Sequence, residues 1–456
     1  MAKANLQTAT NGSVRVPFDQ RDGATSDVLF TRDLSPEGLR RAVAKVAPRL
    51  SGKIAIKLHT GEKDGPNIIP FNWVRELVQQ DLPDATIVET NTYYEGDRYT
   101  TKQHRETIAH NGWTFCPVDI MDEEGVATLP VAGGKWFNEM HVGTHMLNYD
   151  SMLTLTHFKG HTMGGFGGSN KNLGIGCADG RIGKGEIHTV PGSDNLWSIA
   201  EEELMERMTE STKATIDFFG DNIVYVNVMR NMSVSCDCEG TGAMPVVTPN
   251  VGILASTDIC AIDSACVDLV YAMTEAELCD NHDLVERIET RHGLRQLSYM
   301  HELGMGNWKY RLLDLDNGEA EITQAEAVAH VTPFEGQAAS KVNAFAPKHL
   351  GRGATPDNSV ILKKTLFFAG ELPPGTPAHP GGNSLQQARP RRPNPSCPQA
   401  PSDKPPRQSA AFALRPSKLF LSPQYGMSPL RCKNARRPAS FTPAGLLGIS
   451  IRCSND

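Results

Sequence analysis

Much of what usually classifies a chain at sight is missing from this one. Its first thirty residues, MAKANLQTATNGSVRVPFDQRDGATSDVLF, hold no continuous apolar stretch, so no signal peptide is expected. No run of roughly eighteen apolar residues occurs anywhere, which removes a membrane-spanning helix from the expectations. Cysteine is sparse. Ten residues, at 116, 177, 236, 238, 260, 266, 279, 397, 432 and 453, are too dispersed in 456 for a disulfide-stapled secreted scaffold. Reduced thiols in a cytoplasmic protein are expected instead. The chain has no GK[ST] phosphate loop and no G-x-G-x-x-G opening a helix. It also lacks the ferredoxin run C-x-x-C-x-x-C-x-x-x-C and any internal repeat of roughly 20–50 residues.

What is present is a globular body with a polar appendix. Hydrophobic residues make up 39% and charged residues 21%, a balance that suits a folded chain. The net charge of −7 conceals an asymmetry. Residues 371–456 carry twelve Lys/Arg against three acids and sixteen of the thirty prolines, so the remainder is strongly acidic. An acidic body disfavours nucleic acid as its partner. The tail has no apolar period that would repay ordering. Four segments are expected: a flexible stretch over 1–24, a body over 25–330 that can hold two α/β lobes, an extension over 331–365, and a disordered Pro/Arg-rich tail over 366–456.

Strand-like and helix-like patterns alternate through the body. KIAIKLH (53–59), ATIVET (85–90), WTFCPVDI (113–120), Met152–Phe158, NIVYVNVM (222–229) and VGILAS (251–256) read as strands. PFNWVRELVQQ (70–80), TTKQHRETIAHNGW (100–113) closed by Asn111-Gly112, SIAEEELMERMTESTKATIDFF (198–219) and DICAIDSACVDLVYAM (258–273) read as helices, the last with Asp258 as its cap. The alternation predicts an α/β fold with a largely parallel or mixed sheet and flanking helices.

Chemistry concentrates in HFKGHTMGGFGGSNKNLGIG (157–176). In α/β folds ligands lie beyond the carboxyl ends of strands, and His157, Lys159 and His161 stand where the Met152–Phe158 strand would end. Gly164, Gly165, Gly167 and Gly168 let backbone approach a ligand, and their N–H groups could cradle an anion. Lys171, Asn172, Gly174 and Gly176 continue the irregular stretch. A tight loop needed only for packing is the bland alternative. Five of the fourteen histidines (141, 145, 157, 161 and 188) fall in one short region, which favours a metal or proton-transfer site. His141 and His145 read as structural. A second cluster, SVSCDCEGTGAMPVV (233–247), holds Cys236 and Cys238 two residues apart. In a strand both thiols would share a face, and Cys177 and Cys266 are the candidates to join them around a metal or cluster. Isolated buried thiols are the alternative. Arg98 could clamp a carboxylate or lie on the surface, and Asp263 could reach the site.

These segments carry a resemblance. THFKGHTMGGFGGSNKNLGIGCADGRIGKGEIH (156–188), the stretch CDCEGTGAMPVV to CVDLV (236–270) and LSYMHELGMGNWKYRLL (297–313) closely resemble the domain-of-unknown-function 362 family, over roughly residues 25–315. Members are often labelled iron–sulfur centre proteins, and many carry an added ferredoxin-type cysteine run absent here. The chain is also similar to the nickel-pincer lactate racemase family in the order His161, GGFGGSNK with Lys171, then His188. That similarity implies Lys171 anchoring a cofactor, His188 ligating nickel and His161 shuttling a proton.

Three readings follow. The first is a metal- or cofactor-dependent enzyme of racemase or isomerase type, acting on a small acid. It would use His157, Lys159, His161, Lys171 and His188, with nickel or zinc and with Arg98 on the substrate. The second is an iron–sulfur electron-transfer protein using Cys177, Cys236, Cys238 and Cys266. The third is a non-catalytic anion-binding protein. The expected partner is a small-molecule substrate, an anion, and no membrane is involved.

Overall fold

The structure, a computed structural model, describes residues 14–273 and 281–332. The tail over 366–456 and the extension from residue 333 lie outside the described residues, as do residues 1–13 and Cys279, Cys397, Cys432 and Cys453. The described part belongs to one compact unit.

In chain order the elements are β1 (Thr25–Thr31), α1 (Pro36–Val46), β2 (Ile54–Lys57), α2 (Phe71–Asp81), β3 (Thr86–Glu89), α3 (Thr101–His110), β4 (Val118–Ile120), β5 (Val126–Pro130), β6 (Glu139–Gly143) and β7 (Ser151–His157). They continue with β8 (Lys159–His161), β9 (Gly165–Gly167), α4 (Ser169–Gly176), α5 (Gly183–His188), α6 (Glu201–Phe219), β10 (Ile223–Met229), β11 (Gly252–Ser256) and α7 (Ile259–Ala272). The chain closes with α8 (His282–Thr290), α9 (Arg295–Glu302), β12 (Lys309–Asp314), β13 (Ala320–Ile322) and α10 (Gln324–Val328). Each strand and helix expected from the pattern is present, shortened at its ends. Asp258 does cap α7, accepting from Ala261 N at 2.9 Å.

Nine strands build one sheet in the order β13-β12-β1-β11-β10-β7-β2-β3-β4. β10, β7, β2, β3 and β4 run parallel, as do β1 and β12. β11 is antiparallel to both β1 and β10, and β13 to β12. The alternation along the central strands explains why helices cover both faces. Ile56, Ile87, Leu153, Leu155, Val224 and Val226 point into one core with Leu39, Val43, Trp73 and Leu77 of α1 and α2. Met152 and Tyr225 point the other way, into a core with Leu173, Met205, Met208 and Ile262 of α4, α6 and α7. One nine-stranded sheet thus runs through the described residues, with a layer of helices on each face. Among the described residues no helix is long and apolar enough to cross a membrane.

Two local readings change. The segment expected to be flexible over 1–24 is anchored within its described part: Arg21 is buried and its guanidinium grips Asp268 at 2.7 Å. The glycine stretch is not an open loop. It folds as the hairpin β8–β9 followed directly by α4, so Lys171, Asn172, Gly174 and Gly176 are helical.

Gly174 lies where α4 crosses α6, and a Cβ there would run into the Met208 carbonyl and the Thr212 hydroxyl. On an open helix, Gly→Ala stabilises by about 1 kcal/mol. Here the backbone contact reverses the sign, and Gly174→Ala is expected to lower the unfolding free energy by about 1–3 kcal/mol. Urea denaturation followed by circular dichroism checks this, and a stabilised variant would refute the close crossing.

Candidate active site

The parallel strands β2, β3 and β7 end together on Lys57, Glu89 and His157. Beyond β7 the chain turns into the hairpin. Gly160 lies flat against Val234, where a Cβ would overlap that residue's backbone, and its N–H donates to the Ser233 carbonyl at 2.8 Å. This close approach draws the Cys236–Cys238 segment alongside the hairpin. At the tip, the Nδ1 of His161 accepts the N–H groups of Gly164 at 2.7 Å and Met163 at 3.2 Å. Two donors on Nδ1 place the proton of the neutral ring on Nε2.

The first turn of α4 is held by Asp263, which is fully buried. Its carboxylate accepts Ser169 N at 2.8 Å, Asn170 N at 2.9 Å and the Asn227 amide at 2.8 Å. The backbone donors of Ser169 and Asn170 therefore hold a carboxylate of the chain itself, in the position that helix N-termini favour. Burial pushes the Asp263 carboxyl up to about 6 against these donors. This cap sets Lys171 on the site face of α4, with its Nζ 3.4 Å from the Cys236 sulfur.

Cys236 and Cys238 do not lie on a strand. They begin a tight 3-10 turn, Asp237–Gly242. Glu239 closes it by accepting Cys236 N at 3.2 Å and the Ser235 hydroxyl at 2.9 Å. The turn still brings both thiols together: a ligand atom of His161 and the two sulfurs lie within 4.8 Å of one another. The hydrogen bond from the Cys238 thiol, with the charge of Lys171 and the hydrogen bond from His161, holds Cys236 well below the usual thiol range despite its burial. Cys238 moves the opposite way, because its proton is shared toward Cys236 and its burial adds to the effect. Burial and the Lys171 charge lower His161. Burial would lower Lys171 too, but the Cys236 charge outweighs it and raises the ammonium.

Asp237, between the two cysteines, points the other way and joins the end of β7. It meets His157 Nδ1 at 2.8 Å and Lys159 Nζ at 3.0 Å. The His157 Nε2 faces the Arg230 carbonyl at 2.6 Å. Both ring nitrogens of His157 face oxygen acceptors, which fixes the orientation of the ring. Burial alone would raise Asp237, but the charges of His157 and Lys159 hold it below the ordinary carboxylate range.

The remaining candidates are distributed around this centre. Asn172 joins Lys57, accepting its Nζ at 3.0 Å, and Lys57 pairs with Glu89 at 3.0 Å. Arg98 is turned onto Glu62 at 2.6 Å and Tyr94 at 2.9 Å. His188 donates from Nδ1 to the Lys184 carbonyl at 2.7 Å and lies between Tyr93 and Trp197. Burial, opposed by that hydrogen bond and reinforced by the nearby charges of His161 and Lys171, lowers it to about 4. Its ring is therefore neutral, and its Nε2 has no hydrogen-bond partner among the described residues. Gly164, Gly165, Gly167 and Gly168 make the hairpin turn, β9 and the residue capping α4. Cys177 and Cys266 stay in the core: burial pushes Cys177 up to about 11 and Cys266 well above the thiol range. His141 pairs with Glu186 and His145 with Asp119, away from this cluster.

Sequence reasoning passed over Asp237, Glu239, Lys57 and Glu89. Lys57 and Glu89 were open to detection as charged residues closing buried strands. Asp237 was open to detection as the acid inside C-D-C.

Such a fold and site define an α/β protein with a thiolate, an ammonium and an imidazole gathered at the carboxyl ends of a parallel sheet. Residues 54–268, from the first residue of β2 into α7, match the model of the family described as Domain of unknown function (DUF362). No curated protein matches the chain. Among solved structures, the lactate racemase apoprotein from Thermoanaerobacterium thermosaccharolyticum is similar at 10% identity, covering 66% of this chain and 85% of that one, with a TM-score of 0.31. A structural-genomics protein from Thermotoga maritima is similar at 12% identity, covering 42% of this chain and 50% of that one, with a TM-score of 0.29.

Replacing Asp237 by Asn leaves the buried ammonium of Lys159 without its counter-charge and removes the carboxylate that holds the His157 ring. Asp237→Asn is expected to cost about 3–5 kcal/mol at neutral pH. A carboxylate whose folded pKa is depressed stabilises above its unfolded value and loses that contribution as pH falls through the folded one. The gap between wild type and variant should therefore narrow below about pH 4. Chemical denaturation at neutral and acid pH measures both, and a gap that widens in acid would refute the pairing.

Proposed function

We propose that this chain is a metal-dependent enzyme acting on a small acid, with its centre at His161, Lys171, Cys236 and Cys238. The observation that carries this reading is the approach of two sulfurs and one imidazole to within 4.8 Å of one another, beside the half-buried Lys171. Two soft sulfurs and an imidazole suit a borderline ion such as zinc or nickel. Three protein ligands leave a fourth position open, the arrangement of catalytic rather than structural sites. His188 adds a neutral imidazole whose Nδ1 is fixed on a carbonyl, the state in which histidines ligate metals.

The metal would supply Lewis-acid polarisation of a substrate oxygen. The remaining work falls to the chain. Cys238 must shed its proton to ligate, so loading is favoured by rising pH. His161 can ligate through Nε2 as a neutral ring only by moving its proton to Nδ1, in exchange for the Gly164 and Met163 donors there. A divalent ion with two thiolates is neutral, which leaves the half-buried Lys171 ammonium without its present counter-charge. A substrate carboxylate would supply that charge, and this is the physical basis for assigning an acid as substrate. His161, if not a ligand, is anchored through Nδ1 with its proton on Nε2 and suits proton transfer beside the carboxylate, as in a racemase or isomerase.

The alternatives have less support. Cys177 and Cys266 are not gathered with the Cys236–Cys238 pair, so a four-cysteine cluster has less support. An anion at the amino end of α4 would compete with Asp263 for Ser169 N and Asn170 N.

Metal analysis of the full-length protein after equilibration with zinc or nickel tests the reading. One ion per chain is expected in the wild type, with affinity rising from about pH 6 to 8, and loss of the ion in Cys236→Ser. Lys171→Met removes the cation that competes for the Cys236 sulfur and should bind metal at least as tightly as wild type. Iron with acid-labile sulfide, or no retained metal, would overturn the proposal.

A further inference from the structure

The Cys236–Cys238 pair has a second chemistry open to it that needs no metal. We propose that these two residues are a redox-active dithiol, which a small hydroperoxide oxidises to a reversible disulfide. The pairing is independent of the metal reading; its consequence, release of a bound ion from the same sulfurs, rests on that reading.

The geometry assigns the roles. Two residues apart in a tight turn, the Cα atoms stay within about 7 Å, the outer limit for a bridge. The two sulfurs already lie within 4.8 Å of one another. Cys236 is the attacking residue, because the Lys171 amine lies 3.4 Å from its sulfur and a ring nitrogen of His161 lies within 4.8 Å of it. Cys238 has neither the lysine contact nor the same burial: it is half-buried, and it is placed to resolve. The other sulfurs in the core have neutral partners. Cys260 meets the Leu297 carbonyl at 3.8 Å and Cys266 the Asn227 amide at 3.4 Å. The burial of Cys236, 1% exposed, selects the oxidant by size. Hydrogen peroxide can reach such a sulfur, whereas a protein disulfide cannot.

The step balances in two stages. The Cys236 thiolate attacks one peroxide oxygen, the O–O bond breaks, and Cys236 sulfenic acid and hydroxide form. The Cys238 sulfur then displaces the sulfenic oxygen, which leaves as water after taking up the Cys238 proton. Two thiols lose two electrons in all, and the peroxide is reduced to two waters once the hydroxide is protonated. With metal bound, the same two electrons leave the thiolate ligands, and the ion is freed together with two hydroxides.

The test uses the reduced, chelator-treated full chain with an equivalent of hydrogen peroxide. Free thiols are blocked with one alkylating label, and those released by dithiothreitol are marked with a second before peptide mapping. The expected result is the second label on both Cys236 and Cys238, and a Cys238→Ser variant that stops at a dimedone-reactive Cys236. A parallel zinc-loaded sample should lose its zinc in step with the bridge. A bridge in a protein that never binds zinc sustains this inference while removing the metal reading. Peroxide that leaves both thiols open to the first label, carries Cys236 past sulfenic acid without bridging, or joins either residue to another cysteine would overturn it.

Discussion

The centre of this structure depends on one contact, between the ammonium of Lys171 and the buried sulfur of Cys236. Burial opposes charge on both groups, lowering the lysine and raising the thiol. The hydrogen bond from Cys238 and the charge of Lys171 together favour charge on the sulfur, and that charge in turn supports the ammonium. The two residues come from separate parts of the chain, one on α4 and one on the turn that follows β10, so the pair also fastens these segments across the end of the sheet. Buried pairs of this kind stabilise only when their remaining hydrogen bonds are made. Here His161 and Cys238 make them on the sulfur side.

Two carboxylates give that contact its geometry without touching it. Asp263 ends the backbone of α4 and so fixes where the lysine starts. Asp237, placed between the two cysteines, turns away from them and bridges His157 and Lys159 at the end of β7. The turn is thereby fastened to the central strand through the one residue whose side chain is not part of the sulfur cluster. His157 and Lys159, which sequence reasoning placed with the reacting groups, are spent on this fastening. Both pair with Asp237, and the group they hold in place through it is the sulfur pair.

The fold was legible because its strands are covered on both faces. The apolar runs of β7 and β10 and the capped helices α3 and α7 carry signals local enough to read within a dozen residues. The site was legible in part. His161, Lys171, Cys236 and Cys238 were singled out, but from two segments read as alternatives: a histidine–lysine loop for one chemistry and a CxC for another. Their union depends on Gly160 lying against Val234, a contact between residues far apart in the chain, which no local pattern carries. The glycines misled for a related reason. Their spacing reads as a flexible loop, whereas the absent side chains serve backbone crossings, at Val234 for Gly160 and at α6 for Gly174. Asp263 was read as a residue that could reach the site, and it does so by occupying the backbone donors that seemed free for a ligand.

The Cys236 sulfur can satisfy only one claim at a time. With Lys171 it is one half of an ion pair. On a metal it gives up that ammonium, whose charge then calls for an anion in the same enclosed space. Joined to Cys238 it carries no charge, and both the lysine and any metal lose their hold. These states exclude one another through a single atom, so the occupancy of the centre is coupled to proton, metal and oxidant without any movement of the sheet. The coupling follows from placing a lysine, a histidine and a second thiol around one buried sulfur. Separating any of the three from it would leave a simpler centre, with fewer ways of being switched.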